Sequence, residues 1–161
     1  MSRRQLCFEY ELYESAAALP AADKMLLEKA KSVTGTAYAP YSNFRVGAAA
    51  VLDNGDIVTA TNQENASYPV GICAERTLLS AVSATHPGRR VVSIAISYSS
   101  EGKNDVPISP CGLCRQTLVE YEHRFGQPIR LILGGKTGPV YTIASCALLL
   151  PFGFTASDLH R

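Results

Sequence analysis

The chain has 161 residues, 47% of them hydrophobic, enough for one domain with a real core and too few to suggest two. Its 15 Lys and Arg nearly balance 14 Asp and Glu, which disfavours an autonomous nucleic-acid reader, since such proteins usually carry a basic face. No segment approaches the roughly 18 apolar residues that span a membrane, and Glu9, Glu11 and Glu14 interrupt the stretch after Arg3-Arg4 where an export signal needs an apolar core.

Residues 1–19 show no clear periodicity and read as an N-terminal extension, with residues 20–161 as a single domain. From Pro20 the apolar positions Leu26, Leu27, Ala30 and Val33 recur at helical spacing, and Gly35 ends the run. Residues 44–52 are small and apolar on both faces, which predicts a central strand covered on both sides. Asp53-Asn54-Gly55-Asp56 supplies a hairpin turn, since Asn-Gly tolerates positive φ, and residues 57–61 return as the second strand. A helix is predicted from near Cys73, with Ala74, Leu78, Ala81 and Val82 on one face, stopping before Pro87-Gly88. Residues 91–98 form the third predicted strand, and a helix from near Cys111 carries Leu118, Tyr121 and Phe125 inward. Residues 129–133 and 140–143 read as two short strands, followed by a short apolar helix around residues 147–150. Gly134-Gly135-Lys136-Thr137-Gly138 reads as a turn: a phosphate-binding loop needs glycine where Arg130 stands and a helix afterwards, whereas Pro139 and a strand-like run follow. The order predicts an α/β fold, a mixed five-stranded sheet with helices on both faces.

Five cysteines is an odd number, and three of them sit at metal-ligand spacing, which fits a reducing, cytoplasmic compartment better than a disulfide framework. The sequon Asn65-Ala66-Ser67 has no use there. The segments Cys73-Ala74-Glu75 and Pro110-Cys111-Gly112-Leu113-Cys114 bring three thiols and a carboxylate to the starts of two predicted helices. Three thiols suit zinc, which prefers four ligands and, with three from the protein, keeps one position for water. A carboxylate beside that position takes a proton from the water and hands it on, so the pattern points to hydrolytic chemistry. Unpaired N–H groups and the positive dipole end at each helix start favour thiolate over thiol. Cys111 and Cys114, one helical turn apart, point the same way.

Three thiolates on a dication leave about one net negative charge, which makes a bound water harder to ionise, and Arg76 is the compensating cation. A structural zinc or three buried thiols is the alternative reading, and Glu75 favours catalysis over both. His86 and His123 lie far along their helices from the cysteine ends and read as solvated. Cys7 reads as a stray thiol and Cys146 as a small core residue.

Further motifs frame this cluster. They are Tyr38-Ala39-Pro40-Tyr41-Ser42-Asn43-Phe44-Arg45-Val46-Gly47-Ala48 and Asn62-Gln63-Glu64-Asn65-Ala66-Ser67-Tyr68-Pro69 before it, and Leu149-Leu150-Pro151-Phe152-Gly153-Phe154 after it. With Cys73-Ala74-Glu75-Arg76 and Pro110-Cys111-Gly112-Leu113-Cys114-Arg115-Gln116 they stand in family order, and the chain resembles the small homotetrameric zinc-dependent cytidine deaminases over about residues 20–160. The resemblance implies a three-layer α/β/α sandwich, one zinc per subunit on Cys73, Cys111 and Cys114, and Glu75 as proton carrier from the water to ring N3 while oxygen attacks C4. It implies sugar contacts from Asn62 and Glu64, packing of Phe44 on the nucleoside, and a base contact from the backbone of Ala74. Ala66, Tyr68 and Phe154 match positions lent to a neighbouring subunit's pocket, and Phe152 is able to trade places with Phe154.

The implied reaction converts cytidine, and deoxycytidine, to uridine or deoxyuridine and ammonia in pyrimidine salvage. The implied form is a homotetramer with shared active sites, with a small nucleoside as partner rather than nucleic acid or membrane. An alternative substrate is a blasticidin-type antibiotic or a polynucleotide, the latter weakened by the near-neutral charge. A zinc-stabilised binding module without turnover is the reading from another class, and the presence of Glu75 argues against it. Gln63 stands where relatives often have an apolar residue, and strand alternation points it away from a ligand.

Overall fold

The computed structural model describes residues 1–159. Six strands are built: β1 (Glu11–Tyr13), β2 (Arg45–Leu52), β3 (Ile57–Thr61), β4 (Val91–Ser99), β5 (Arg130–Gly134) and β6 (Val140–Ile143). The main helices are α1 (Ala21–Val33), α2 (Ala74–Thr85) and α3 (Gly112–Phe125), and a short α4 (Ala156–Leu159) lies near the C-terminus. The strands form one sheet in the order β1-β6-β5-β4-β2-β3. β4 and β5 run parallel and every other neighbouring pair is antiparallel.

Small residues let β2 be covered on both faces. Ala48 and Ala50 pack with Leu78, Leu79 and Val82 of α2 and Leu118 of α3, whereas Ala49 packs with Leu26, Leu27 and Ala30 of α1. That is the period-two alternation of a strand, and it separates a layer of α2 and α3 from a layer of α1. A Cβ at Gly47 would lie 2.1 Å from the Ala30 carbonyl oxygen, so glycine is what lets α1 lie this close to the sheet.

The topology fixes where the site falls. β3 and β4 are both antiparallel to β2, so they run the same way and end at the same edge of the sheet. β3 leads into α2 and β4 into α3, the helical crossover that the parallel β4–β5 pair requires. Both helices therefore start at one end of the sheet, on the same face. The Tyr121 hydroxyl of α3 donates to the Leu79 carbonyl of α2 at 2.7 Å and links the two helices.

The sheet has six strands where the sequence predicts five. The extra strand, β1, lies in the extension that shows no periodicity. At three residues it is too short for alternation to be read, and tertiary contacts hold it in place. It pairs with β6, and Glu11 accepts from the Arg130 guanidinium at 2.9 Å and from the Thr142 hydroxyl at 2.6 Å. Those bonds, Thr142 first and then Arg130, hold the Glu11 carboxyl below the usual range. Arg130 also reaches Asp23 at the start of α1, at 3.2 Å.

The remaining differences are small. At the β2–β3 turn only Gly55 takes a positive φ, of 88°. His86 is half-buried, with Nε2 3.6 Å from an Asp56 carboxylate oxygen, rather than freely solvated, while His123 is exposed. Cys146 is buried, as expected of a small core residue. No helix among the described residues is long and apolar enough to cross a membrane.

A buried carboxylate closes the far end of α3. Glu122, 7% exposed, accepts from the Ile129 and Cys146 amides, both at 2.7 Å, and from the Ser145 hydroxyl at 2.8 Å. Glu122→Ala leaves these donors without their acceptor, and urea denaturation is expected to show a loss of about 3 kcal/mol, with the glutamine variant intermediate.

Candidate active site

Cys73 and Cys111 are the N-cap residues of α2 and α3, and neither cap side chain bonds to its own helix. Both sulfurs are thus left facing the two helix N-termini, whose dipoles favour negative charge. Cys114, one turn into α3, is buried behind them. The Cys73 and Cys111 sulfurs are 3.8 Å apart, those of Cys111 and Cys114 3.5 Å, and all three lie within 4.8 Å of one another. A Zn–S bond of about 2.3 Å at tetrahedral angles separates sulfurs by about 3.8 Å, so the cluster fits zinc as it stands.

The thiols are polarised against one another. A bond from the Cys114 thiol, the largest influence, pulls the Cys73 thiol down to about 6, with Cys111 and the charge of Arg76 assisting. The Cys114 thiol, donating to Cys73 and buried, is pushed up. Arg76 is half-buried, and among the described residues no carboxylate pairs with it, so its charge is available to the cluster.

Glu75, in the first turn of α2, is 5% exposed. Burial pushes its carboxyl up, against a hydrogen bond from its own amide and one from the Cys114 thiol. It shares a cleft of about 250 Å³ with Cys73, Ala74, Cys111, Phe44, Asn62 and Glu64. The cleft therefore joins a carboxylate, a thiol cluster and two polar side chains with an aromatic wall. Phe44 is 36% exposed and stacks on Tyr98 of β4, with ring centroids 5.1 Å apart and planes at 16°.

Asn62 and Glu64 are less free than the sequence suggests. Asn62 accepts from the Val46 amide at 2.7 Å and donates to the Phe44 carbonyl at 2.9 Å, clamping the start of β2. One amide hydrogen and one lone pair of its side chain remain for a ligand. Glu64 accepts from the Tyr41 amide at 2.9 Å, the Ser42 amide at 3.3 Å and the Ser42 hydroxyl. Those bonds, Ser42's hydroxyl foremost, hold its carboxyl below the usual range. Both residues build the wall of the cleft as well as facing it.

Ala66, Tyr68 and Phe154 do not line this cleft. All three are exposed, Tyr68 at 75% and Phe154 at 57%, and Tyr68 sits edge-on to Tyr41 at 5.9 Å. Phe152 is 99% exposed, with φ of 58°. Gln116 of α3 donates to the Phe154 carbonyl at 2.7 Å and ties this tail to the helix capped by Cys111.

Sequence reasoning missed Arg115, Ile108 and Ser109. The Arg115 guanidinium donates to the Pro110 carbonyl at 2.8 Å, the Ser109 hydroxyl at 3.0 Å and the Leu149 carbonyl at 3.1 Å. It braces the segment that enters Cys111, and Ile108 and Ser109 of that segment line the cleft. The only signal available was that Arg115 lies four residues after Cys111, on the same side of the helix.

A profile described as "Cytidine and deoxycytidylate deaminase zinc-binding region" matches residues 20–125. The chain belongs to the cytidine and deoxycytidylate deaminase family. It is 39% identical over 137 residues to the cytidine deaminase of Halalkalibacterium halodurans, covering 85% of this chain and 97% of that one. It is 40% identical over 140 residues to the cytidine deaminase of Mycobacterium tuberculosis, covering 85% and 92%. The crystal structure of cytidine deaminase from Burkholderia pseudomallei superposes with a TM-score of 0.69 at 41% identity, over 81% of this chain and 97% of that one. The deaminase fold and its zinc-binding region are thus those of this chain.

Zinc affinities of about 10–16 kcal/mol over four ligands put one thiolate at about 3 kcal/mol, roughly a hundredfold in affinity. Cys114→Ala is accordingly expected to weaken zinc binding about a hundredfold in a competitive chelator titration while the fold persists by circular dichroism. Unchanged affinity would remove Cys114 from the ligand set.

Proposed function

We propose that this deaminase hydrolyses cytidine, and deoxycytidine, to uridine or deoxyuridine and ammonia. The observation that carries the reading is the buried Glu75 carboxylate lining one cleft with Cys73, Cys111, Asn62 and Glu64. Relatives named cytidine deaminase support the substrate. The near-neutral charge gives no backing to a polynucleotide substrate.

Cys73, Cys111 and Cys114 would hold zinc, which when bound makes a water molecule ionisable near neutral pH. Glu75 takes a proton from water and delivers it to ring N3, and the water oxygen adds to C4. The C4–N bond then breaks, with Glu75 carrying the second proton to the amine, so water and cytidine leave as uridine and ammonia. Burial serves both transfers, because a carboxyl raised above its ordinary range is a stronger base toward water and holds the proton closer to neutrality until it is delivered. The Arg76 charge offsets the surplus of three thiolates.

Phe44 packs on the nucleoside, the Ala74 backbone contacts the base, and the remaining hydrogen-bonding capacity of Asn62 and Glu64 takes the sugar hydroxyls. Ala66, Tyr68 and Phe154, exposed on one chain, complete the pocket of a neighbouring subunit in a homotetramer. Residues 20–161 are the catalytic domain in this reading and residues 1–19 an extension to it. The enzyme works in the cytoplasm, in pyrimidine salvage.

Loss of cytidine absorbance, with ammonia release measured in parallel, tests the reading. Glu75→Gln is expected to lower kcat about a thousandfold while keeping one zinc per chain. Full turnover by that variant would refute the proton-carrier role, and a zinc-loaded wild-type protein inert toward cytidine would refute the substrate.

A further inference from the structure

The N-terminal extension lies outside the family match, which begins at residue 20. It is nevertheless built into the molecule next to the site. β1 pairs with β6, and Glu11 is held by Arg130 and Thr142. Just before β1, the Tyr10 ring stands edge-on to Tyr141 with centroids 5.1 Å apart. Phe8 and Tyr10 border an apolar cleft of about 300 Å³ that Pro107, Ile108 and Ser109 also line.

Ile108 and Ser109 have a second side. They also line the cleft that holds Glu75, Asn62 and Cys111. One short segment without helix or strand thus separates the extension from the catalytic cleft, and it runs directly into Pro110 and Cys111. Arg115 braces it through Ser109 and Pro110, and Ile108 packs against the main core. Phe8 and Tyr10 line one apolar cleft with Ile108 and Ser109.

We propose that Phe8 and Tyr10 are positioning residues: the extension is a strap that holds the Ile108–Ser109 wall of the cleft from behind. The proposal rests on the deaminase reading for its kinetic consequence but not for its structural one. Irregular backbone with little regular hydrogen bonding opens at low free-energy cost, so packing on its outer face governs how firmly the wall stands. A loosened wall weakens ground state and transition state alike, which raises KM and leaves kcat in place.

The test compares the full chain with a variant lacking residues 1–9, which keeps β1, and with the double variant Phe8→Ala/Tyr10→Ala. Amide exchange at residues 105–109 is expected to quicken about tenfold in both, with residues 74–85 of α2 unchanged. KM for cytidine is expected to rise about threefold to tenfold with kcat within about twofold. Phe8→Leu/Tyr10→Phe, which keeps the apolar bulk, is expected to restore both quantities. Unchanged exchange at residues 105–109 would overturn the proposal, and so would quickening spread equally over α2, which marks a general loss of stability. A full chain without cytidine turnover would fell the deaminase reading by itself, and the exchange pattern would still decide the strap.

Discussion

Two helix N-termini converge on one point at the end of the sheet, and the rest of the site depends on that convergence. β3 and β4 flank β2 and run in the same direction, so the helices they feed, α2 and α3, begin side by side. Their N-caps are Cys73 and Cys111. A thiol at an N-cap meets orphan N–H groups and the positive end of a dipole, and here two such ends face one cluster. Three thiolates on zinc would carry surplus negative charge, and the Arg76 charge favours the thiolate at Cys73. Glu75 follows from the same placement. Two residues after the N-cap it sits buried in the first turn of α2.

The wall of the cleft that Asn62 and Glu64 build is preorganised by hydrogen bonds that are already made. Asn62 clamps the backbone on both sides of Arg45, and Glu64 gathers the Tyr41–Ser42 turn around its carboxylate. Asn43 takes a left-handed φ of 53° in that turn, a conformation Asn tolerates better than most residues, and Phe44 is delivered to the cleft from it. Such a wall does not need to be ordered when a ligand arrives, which lowers the entropy lost on binding. Tyr68, Phe152 and Phe154 are exposed aromatic residues outside the cleft.

Much of this was legible in the chain because the signals are local. The double-sided small-residue run of β2, the Gly55 turn and the helical spacing of Leu26, Leu27 and Ala30 each report the element they form. The cysteine spacing points to one place because helix geometry converts sequence offsets directly into direction, and the fold brings the three thiols within 4.8 Å of one another. What stayed hidden is non-local. β1 is held by Arg130 and Thr142, more than a hundred residues away, and no window along the sequence contains that pairing. Arg115 looks like an ordinary charged helix residue until the fold brings the Leu149 carbonyl to it. Asn62 and Glu64 read as free ligand groups because their backbone partners lie across a strand pair and a turn.

The central claim is that three thiolates from two helix starts hold the metal and leave its fourth position to a lighter atom beside Glu75. X-ray absorption at the zinc edge of the purified full-length protein addresses this directly. The account predicts three sulfurs at about 2.3 Å and one oxygen or nitrogen at about 2.0 Å per zinc. Four sulfurs, the signature of a closed structural site, or fewer than three would contradict it.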